Sequence, residues 1–320
     1  MSETTDSNGP KEYRDELKDA EQSSKQEPMS ANKDYGELEA LARRGRWLAI
    51  STVAKSGAGH VGGPFSAMDL LIALYFRVMK VDPQNPHWSQ RDRFILSKGH
   101  SSIGLYVVMA LRGFFPIEEL KTFDKGNSRL QGHPDVTKLP GLDTSTGSLG
   151  QGLSVGLGMA LGARMRGEKY HTFVMIGDGE LQEGMIWEAL DIAPRYKLGN
   201  LTAILDCNGL QQFGWVLSID EEHRGDRKDP WPGIDLKGIF ERLGWRVLEI
   251  KGHEFSEIIP ALERVKALGD SDQPTVILAH TVKGKGVRYT EGKYEWHSKV
   301  ATSEELKVIA EELGIEEVAA

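Results

Sequence analysis

The sequence predicts an α/β protein with a doubly wound, mostly parallel sheet that is flanked by helices. Short apolar runs of strand length alternate with helical patterns over about 250 residues, which is typical of parallel sheets with crossover helices. Loops rich in glycine and histidine follow several of these runs, and parallel sheets bind ligands at the carboxyl ends of their strands. The 320 residues, 39% of them hydrophobic, suffice for one large domain or two smaller ones.

The composition indicates which kinds of binding partner and which cellular compartment to expect. A net charge of -8 without a basic block argues against nucleic acid as a partner. The single cysteine, Cys207, excludes a disulfide framework, fits a reducing cytoplasm and is expected to be a buried small hydrophobe. The N-terminus is polar and no apolar run approaches membrane-spanning length, so we expect no association with a membrane.

Three segments are predicted along the chain. Residues 1–33 are polar and acidic and predict a mobile tail. Residues 34–300 carry the alternating pattern and predict one ligand-binding domain. Residues 301–320 predict an acidic helix that opens with a capping box from Thr302 to Glu305.

The first predicted elements lead to two loops that contain histidine. An amphipathic helix that begins near Tyr35 ends in a glycine-rich loop around His60, and a second helix is expected to begin at Pro64. The apolar run RFILS predicts a short buried strand that ends at Lys98 and His100, and a helix follows. Further on, GSLGQGLSVGLGMALGARM is dense in glycine. Because interior glycines cost helix stability, we expect this backbone to pack very closely on a neighbour.

A strand, crossover helix and second strand are predicted next. The apolar run HTFVMI ends in GDG, a helix is expected from near Leu181, and LTAILDC ends in NGL. The two strand ends should lie side by side, so that Asp178, Asn208 and the Leu210 carbonyl present oxygen ligands suited to Mg²⁺. The flanking glycines and the helix amides would admit a diphosphate.

The remaining elements complete the alternation. A charged loop from Asp220 to Asp229 precedes a helix around Leu236 to Leu243, the strand WRVLEI, a helix from Phe255 to about Leu268 and the strand TVILAH. A basic loop with Lys283 and the pair Trp296-His297 follow.

Four of the nine histidines lie in loops rich in glycine, proline or serine: His60, His100, His133 and His297. Each alone is more often a hydrogen-bonded loop residue, but four such loops favour a shared ligand that is polyhydroxylated or phosphorylated. Lys98 and Lys283 would add contacts to an anion, or be solvated loop charges. A zinc site is disfavoured, because the histidines lack closely paired spacing.

In order along residues 36–300, the motifs SGAGHVGG, LSKGH, GHP, GSLGQG, GDGELQEG with CNGLQQ, and TVKGKG with WHS resemble the cofactor-diphosphate half of transketolase. The resemblance implies a thiamine diphosphate-binding fold. Asp178, Asn208 and the Leu210 carbonyl would hold Mg²⁺, or another divalent cation such as Ca²⁺ or Mn²⁺. The implied cofactor contacts are Gly179, His100, His297, Lys98 and Lys283 at the diphosphate, Gly147 and Leu149 at the aminopyrimidine, and Gln212 near the thiazolium.

The same resemblance implies roles at the substrate and between subunits. His60 and His133 would bind hydroxyls of the donor sugar, and His100 and His297 would assist proton transfer. Glu183 and Glu188 would form an acidic relay between paired active sites, with Glu183 also among the cofactor-binding residues. Without the resemblance, both glutamates are expected to be solvated near a helix N-terminus.

We expect this chain to be one subunit of a split transketolase. After Trp296-His297 about two dozen residues remain, too few for a further domain. A C-terminal subunit would supply the pyrimidine-binding domain and the activating glutamate, in a heterotetramer. The reaction implied is transfer of a two-carbon ketol unit from a ketose, or ketose phosphate, to an aldose acceptor.

Three alternatives stay open from the sequence. The first is a subunit of another thiamine diphosphate enzyme, such as the α subunit of a 2-oxo-acid dehydrogenase or a 1-deoxyxylulose-5-phosphate synthase-like protein. The second is a non-catalytic subunit that binds the cofactor, or a partner, only for assembly. A nucleotide-binding protein of Rossmann type, with Asp206 as the ribose-binding acid, is disfavoured because the glycines follow GxGxxxxG and not GxGxxG.

Overall fold

Parallel pairing of the apolar runs organises the computed structural model, which describes residues 35–212 and 234–315. The five strands are β1 Arg93–Leu96, β2 Thr172–Gly177, β3 Leu201–Cys207, β4 Arg246–Lys251 and β5 Thr275–His280. They form one sheet in the order β1-β2-β3-β5-β4, and every ladder within it is parallel. The predicted parallel sheet is confirmed. The expected tail of residues 1–33 and the charged loop at 220–229 lie outside the described residues.

Helices connect the strands much as the sequence pattern predicts. They are α1 Gly36–Ser56, α2 Gly62–Ala73, α3 Ser102–Arg112, α4 Gly152–Arg166, α5 Gly184–Arg195, α6 Leu236–Arg242, α7 Phe255–Ala267 and α8 Ser303–Glu312. Short 3₁₀ turns lie at Gly99–Ser101, Ile117–Thr122, Asp178–Gln182 and Tyr294–His297. The capping box predicted at Thr302 and Glu305 opens α8.

Two helix starts differ from the prediction. The helix α2 begins at Gly62, so Pro64 lies inside its first turn. The helix expected from near Leu181 begins at Gly184, because a 3₁₀ turn at Asp178–Gln182 comes first. That turn is held by the Glu180 carboxylate, which accepts the backbone N–H of Gly177 at 2.9 Å.

Two apolar layers cover the two faces of the sheet. Along β2, Phe173 and Met175 face one layer, whereas Val174 and Ile176 face the other, as the alternation of side chains in a strand requires. The first layer is built with helices α1, α2, α3 and α7, and the second with α4, α5 and α6. Helices on both faces confirm the doubly wound architecture.

Cys207 is half-buried, rather than fully buried as expected, and is not in a disulfide. It is the last residue of β3, where the strand leaves the covered part of the sheet. Among the described residues, no helix is long and apolar enough to cross a membrane.

The glycines of α4 let the helix lie directly on the sheet. A Cβ atom at Gly156 would lie 2.3 Å from Cγ2 of Val174, and one at Gly152 would lie 2.5 Å from Cβ of Ser97. Gly158, on the exposed side, has no heavy atom within 4 Å of such a Cβ position. The close packing predicted from glycine density is therefore confirmed for one face of the helix.

This difference predicts opposite effects of alanine at two positions in one helix. Gly156→Ala should destabilise the chain by about 1–3 kcal/mol, because the new methyl group overpacks against Val174. Gly158→Ala, the matched control, should stabilise it by about 0.5–1 kcal/mol through helix propensity. Urea denaturation of both variants measures the two changes, and equal shifts would contradict the packing argument.

Candidate active site

The carboxyl ends of β1, β2, β3 and β5 meet at one edge of the sheet and surround a cavity of about 440 Å³. Every predicted site residue except Glu188 lines it: His60, Lys98, His100, His133, Gly147, Leu149, Asp178, Gly179, Glu183, Asn208, Leu210, Gln212, Lys283 and His297. These residues are far apart in the sequence but are gathered at one place, because parallel strands end at the same edge of the sheet.

Asp178 lies at the floor of the cavity and is 6% exposed. Its Oδ1 accepts the N–H of Gly179 at 2.8 Å and its Oδ2 accepts the N–H of Gly209 at 2.7 Å. Burial and then the charge of Asp206 raise the pKa of Asp178 to about 7, against these two hydrogen bonds and Lys98. A buried carboxylate of this kind gains from a cation beside it.

Asn208 and Leu210, which line the same cavity as Asp178, each contribute another oxygen atom. The amide Oδ1 of Asn208 accepts the N–H of Leu210 at 3.1 Å, and the Leu210 carbonyl accepts a hydrogen bond from Nζ of Lys283 at 3.0 Å. Carboxylate, amide and carbonyl oxygens are the donor types that Mg²⁺ takes from proteins. Within the described ranges, no group of three His, Cys, Asp or Glu residues is arranged to hold a metal ion.

A buried ion pair between Lys98 and Asp206 lies next to the cavity, which Lys98 also lines. Lys98 and Asp206 are 3% and 0% exposed and are paired through Nζ and Oδ2. Asp206 also accepts hydrogen bonds from the hydroxyls of Ser66 and Thr281. Burial opposes ionisation of Asp206, but Lys98 outweighs it and holds the pKa of this carboxyl below its ordinary value. Asp206 is therefore not available to bind a ribose.

Three histidine rings lie close together in the cavity that Lys98 and Lys283 also line. The ring centroids of His60, His100 and His297 lie 5.0–5.1 Å apart. Burial first, and then neighbouring positive groups, lower the pKa of His100 to about 2 and that of His297 to about 3, and the pKa of His60 is lowered as well. Lys283, mainly through burial, has a pKa of about 8. The imidazoles are thus neutral near pH 7.

The wall on the side of α4 and α5 is more open. His133 is exposed, and a Cβ at Gly147 would lie 3.2 Å from its ring, whereas Leu149 is 36% exposed. Gln212 and Glu183 are exposed at the rim. Glu188 is exposed on α5 and lies outside the residues that line the cavity.

Sequence reasoning did not single out Glu180 or Gln211. Glu180 is 2% exposed and accepts hydrogen bonds from Ser97 Oγ at 2.7 Å and from the N–H of Gly150 at 2.9 Å. Gln211 lines the cavity, and its Nε2 is buried without a protein partner. Nothing in the sequence separates Glu180 from Glu183. The sequence does indicate a buried partner for Asp206, because a lone carboxylate in an apolar strand must be paired when it is buried.

We expect the neutral histidines to make the chain less stable in mild acid. An unfolded imidazole protonates near pH 6.5, whereas His100 in the folded chain has a pKa of about 2. The unfolded state binds more protons between these values, so stability falls as the pH drops from about 7.5 to about 5.5. Over this pH interval, the free energy of unfolding of the His100→Gln variant should fall by about 1 kcal/mol less than that of the wild type. Urea denaturation at the two pH values measures this, and parallel losses would rule out a neutral buried imidazole.

Comparison with known proteins identifies the family to which this chain belongs. Residues 38–319 match the family described as transketolase, thiamine diphosphate binding domain. The chain is 41% identical over 268 residues to the 6-deoxy-6-sulfo-D-fructose transketolase subunit SqwG of Clostridium sp. (strain MSTE9), covering 84% of this chain and 93% of that protein. It is 39% identical over 279 residues to an apulose-4-phosphate transketolase subunit of Phocaeicola vulgatus, covering 86% of this chain and 93% of that protein.

One-chain transketolases match over a smaller part of their length. The human transketolase is 39% identical over 277 residues, which cover 83% of this chain and 41% of that protein. The crystal structure of transketolase from Campylobacter jejuni superposes with a TM-score of 0.77 at 33% identity, covering 88% of this chain and 43% of that one. Since the family match spans most of the sequence and the two bacterial subunits match along nearly their whole length, the chain belongs to the transketolase family, as a thiamine diphosphate-binding subunit.

Proposed function

We propose that this chain supplies the diphosphate-binding half of a two-chain transketolase, which moves a two-carbon ketol unit from a ketose donor to an aldose acceptor. The observation that carries this proposal is the single cavity that joins the Asp178 carboxylate, the buried Lys283 and three neutral histidines. A metal-bound anion and a polyhydroxylated substrate need these two kinds of surface side by side.

The residues at the floor fit a magnesium diphosphate. Asp178, Asn208 and the Leu210 carbonyl would hold Mg²⁺, or Ca²⁺ or Mn²⁺ in its place, and a divalent cation would offset the burial and the charge of Asp206 that raise the pKa of Asp178. The other contacts in this proposal are Gly179, Lys98, His100, Lys283 and His297 for the diphosphate, Gly147 and Leu149 for the aminopyrimidine, and Gln212 for the thiazolium. Bound thiamine diphosphate would supply the nucleophilic carbon that side chains lack.

The histidines serve the sugar in this proposal. His60 and His133 would bind hydroxyl groups of the donor, and His100 and His297 would move protons at the reacting hydroxyl and carbonyl. A neutral imidazole both donates and accepts a hydrogen bond, and the lowered pKa values keep His60, His100 and His297 in that form.

The activating half of the site would come from a partner chain. A C-terminal transketolase subunit would contribute the pyrimidine-binding domain and the glutamate that protonates the cofactor, in an α₂β₂ heterotetramer. Exposure of Leu149, Met185 and Glu183 beside the cavity is consistent with a surface that a partner covers. Glu183 and Glu188 would then link paired active sites across that surface.

We further propose that the sugar substrate carries an anionic group and that the enzyme works in the cytoplasm. The two bacterial relatives act on a sulfonated sugar and on a sugar phosphate, as their names state. A reducing compartment agrees with the single cysteine, Cys207, which cannot form a disulfide within the chain.

The two-chain proposal predicts that ketol transfer needs both subunits. This chain alone, with thiamine diphosphate, Mg²⁺, xylulose 5-phosphate and ribose 5-phosphate, should show no transfer. Addition of a C-terminal transketolase subunit should restore activity with a ketose phosphate or ketose sulfonate. Transfer by this chain alone would contradict the proposal.

Asp178→Asn should weaken Mg²⁺-dependent binding of thiamine diphosphate to the two-chain complex by about 10- to 100-fold. Loss of a charged ligand reduces the binding free energy by about 1.5–3 kcal/mol, and each 1.4 kcal/mol corresponds to about a tenfold change in affinity. Quenching of tryptophan fluorescence during a Mg²⁺ titration measures the affinity. Asp191→Asn, in an exposed pair with Arg195 on α5, is the matched control and should bind like the wild type.

A further inference from the structure

Lys283 connects the proposed metal end of the cavity to the histidine cluster. Its Nζ lies 3.0 Å from the Leu210 carbonyl and 2.9 Å from Nδ1 of His297, and the residue is 3% exposed. A lysine ammonium is a compact charge at the end of a flexible stem. The position of that charge therefore depends on how firmly the backbone of the Lys283 loop, residues 281–286, is held.

Three backbone N–H groups anchor the start of the Lys283 loop. Thr281 donates to the Cys207 carbonyl at 3.2 Å and so extends the sheet, and Gly284 donates to the Gly62 carbonyl at 3.1 Å. Between them, Val282 donates to Nε2 of the His253 side chain at 2.8 Å. The anchor directly before Lys283 is thus a side chain from the loop that follows β4.

The hydrogen bonds of His253 fix its tautomer. Because Nε2 accepts from Val282, the ring proton must be on Nδ1, which lies 2.7 Å from Oδ2 of Asp69. Asp69 is 5% exposed and lies on α2. A buried carboxylate that receives the Nδ1 proton orients the imidazole towards the loop, as such partners do for metal-bound histidines.

Arg46 completes the network and lies beside the Lys283 loop at Gly286. Its Nη1 donates to Oδ1 of Asp69 at 3.2 Å and its Nη2 donates to the Phe65 carbonyl at 3.0 Å. Burial alone would raise the pKa of Asp69, but Arg46 and His253 hold it below its ordinary value. A Cβ at Gly286 would lie 3.1 Å from Cδ of Arg46, so the arginine stem supports the far end of the Lys283 loop.

We propose that Arg46, Asp69 and His253 form a positioning relay that holds the Lys283 loop and thereby sets the Lys283 ammonium for an anionic ligand. None of the three is among the residues that line the described cavity, so they act through Lys283 and not on the reacting atoms. The inference rests on the proposed function in one respect, namely that the anion is the diphosphate of the cofactor.

Two substitutions of His253 separate its two hydrogen bonds. His253→Asn keeps a donor near Nδ1 but removes the acceptor for Val282, whereas His253→Gln places an amide oxygen near the position of Nε2. In the two-chain complex, His253→Asn should weaken Mg²⁺-dependent binding of thiamine diphosphate about tenfold, the cost of about one such hydrogen bond. His253→Gln should recover most of the affinity, and kcat at saturating cofactor should change less than about twofold in either variant.

A double-mutant cycle tests whether the effect passes through Lys283. Lys283→Ala should weaken binding by itself, and adding His253→Asn to it should cause little further loss, because the two changes remove one shared interaction. His280→Asn, an exposed histidine beside the same loop, is the control and should bind like the wild type. If His253→Asn does not assemble, His253→Leu replaces it; leucine removes both hydrogen bonds of the ring, and comparison with His253→Gln, which restores the acceptor, still tests the bond to Val282.

The outcomes distinguish the relay from the proposed function. Absence of Mg²⁺-dependent cofactor binding by the unsubstituted complex, or binding that Lys283→Ala leaves unchanged, would overturn the diphosphate assignment. If Lys283→Ala weakens binding but His253→Asn does not, the relay is wrong and the proposed function stands. Equal loss from His253→Asn with and without Lys283 would likewise overturn the relay.

Discussion

The buried ion pair between Lys98 and Asp206 joins the elements that surround the cavity. Lys98 follows β1, Asp206 lies in β3, and the hydroxyls that complete the network come from Ser66 on α2 and Thr281 after β5. Loss of one partner from such a pair leaves an uncompensated buried charge, which typically costs about 3–5 kcal/mol. The spacing of the strand ends, and hence the cavity, depends on this pair.

The pKa shifts of the groups that line the cavity support the proposed binding of an anion together with a metal ion. Asp178 has a raised pKa because burial and Asp206 disfavour its charge, whereas Lys283 and the histidines have lowered pKa values because burial and other positive groups disfavour theirs. In the proposed function, a divalent cation would stabilise the charged form of Asp178, and a diphosphate would stabilise the charged form of Lys283. The raised pKa of Asp178 and the lowered pKa of Lys283 therefore support the proposal that the cavity binds a diphosphate together with a metal ion.

Packing is linked to the site through Gly152, Ser97 and His253, none of which lines the cavity. Close approach of α4 to the sheet at Gly152 brings its backbone N–H within 3.2 Å of Ser97 Oγ, and Ser97 donates to Glu180 below the turn that carries Asp178. On the other side, His253 reaches the Lys283 loop from the end of β4. The fold therefore supports the site from both faces of the sheet.

The sequence by itself determined the strands and most helix bounds, because periodicity and turn residues are local properties. It placed Asp178, Asn208 and the loop histidines at one edge because parallel strands share that edge, whereas Gly147, Leu149, Gly179 and Gln212 came from the resemblance to transketolase. It did not separate Glu180, buried under the turn, from the exposed Glu183 and Glu188. It also offered Asp206 as a ribose ligand, whereas the structure pairs it with Lys98. These distinctions depend on contacts between residues up to 140 positions apart, and burial and hydrogen-bond partners at that separation exist only once the chain has folded.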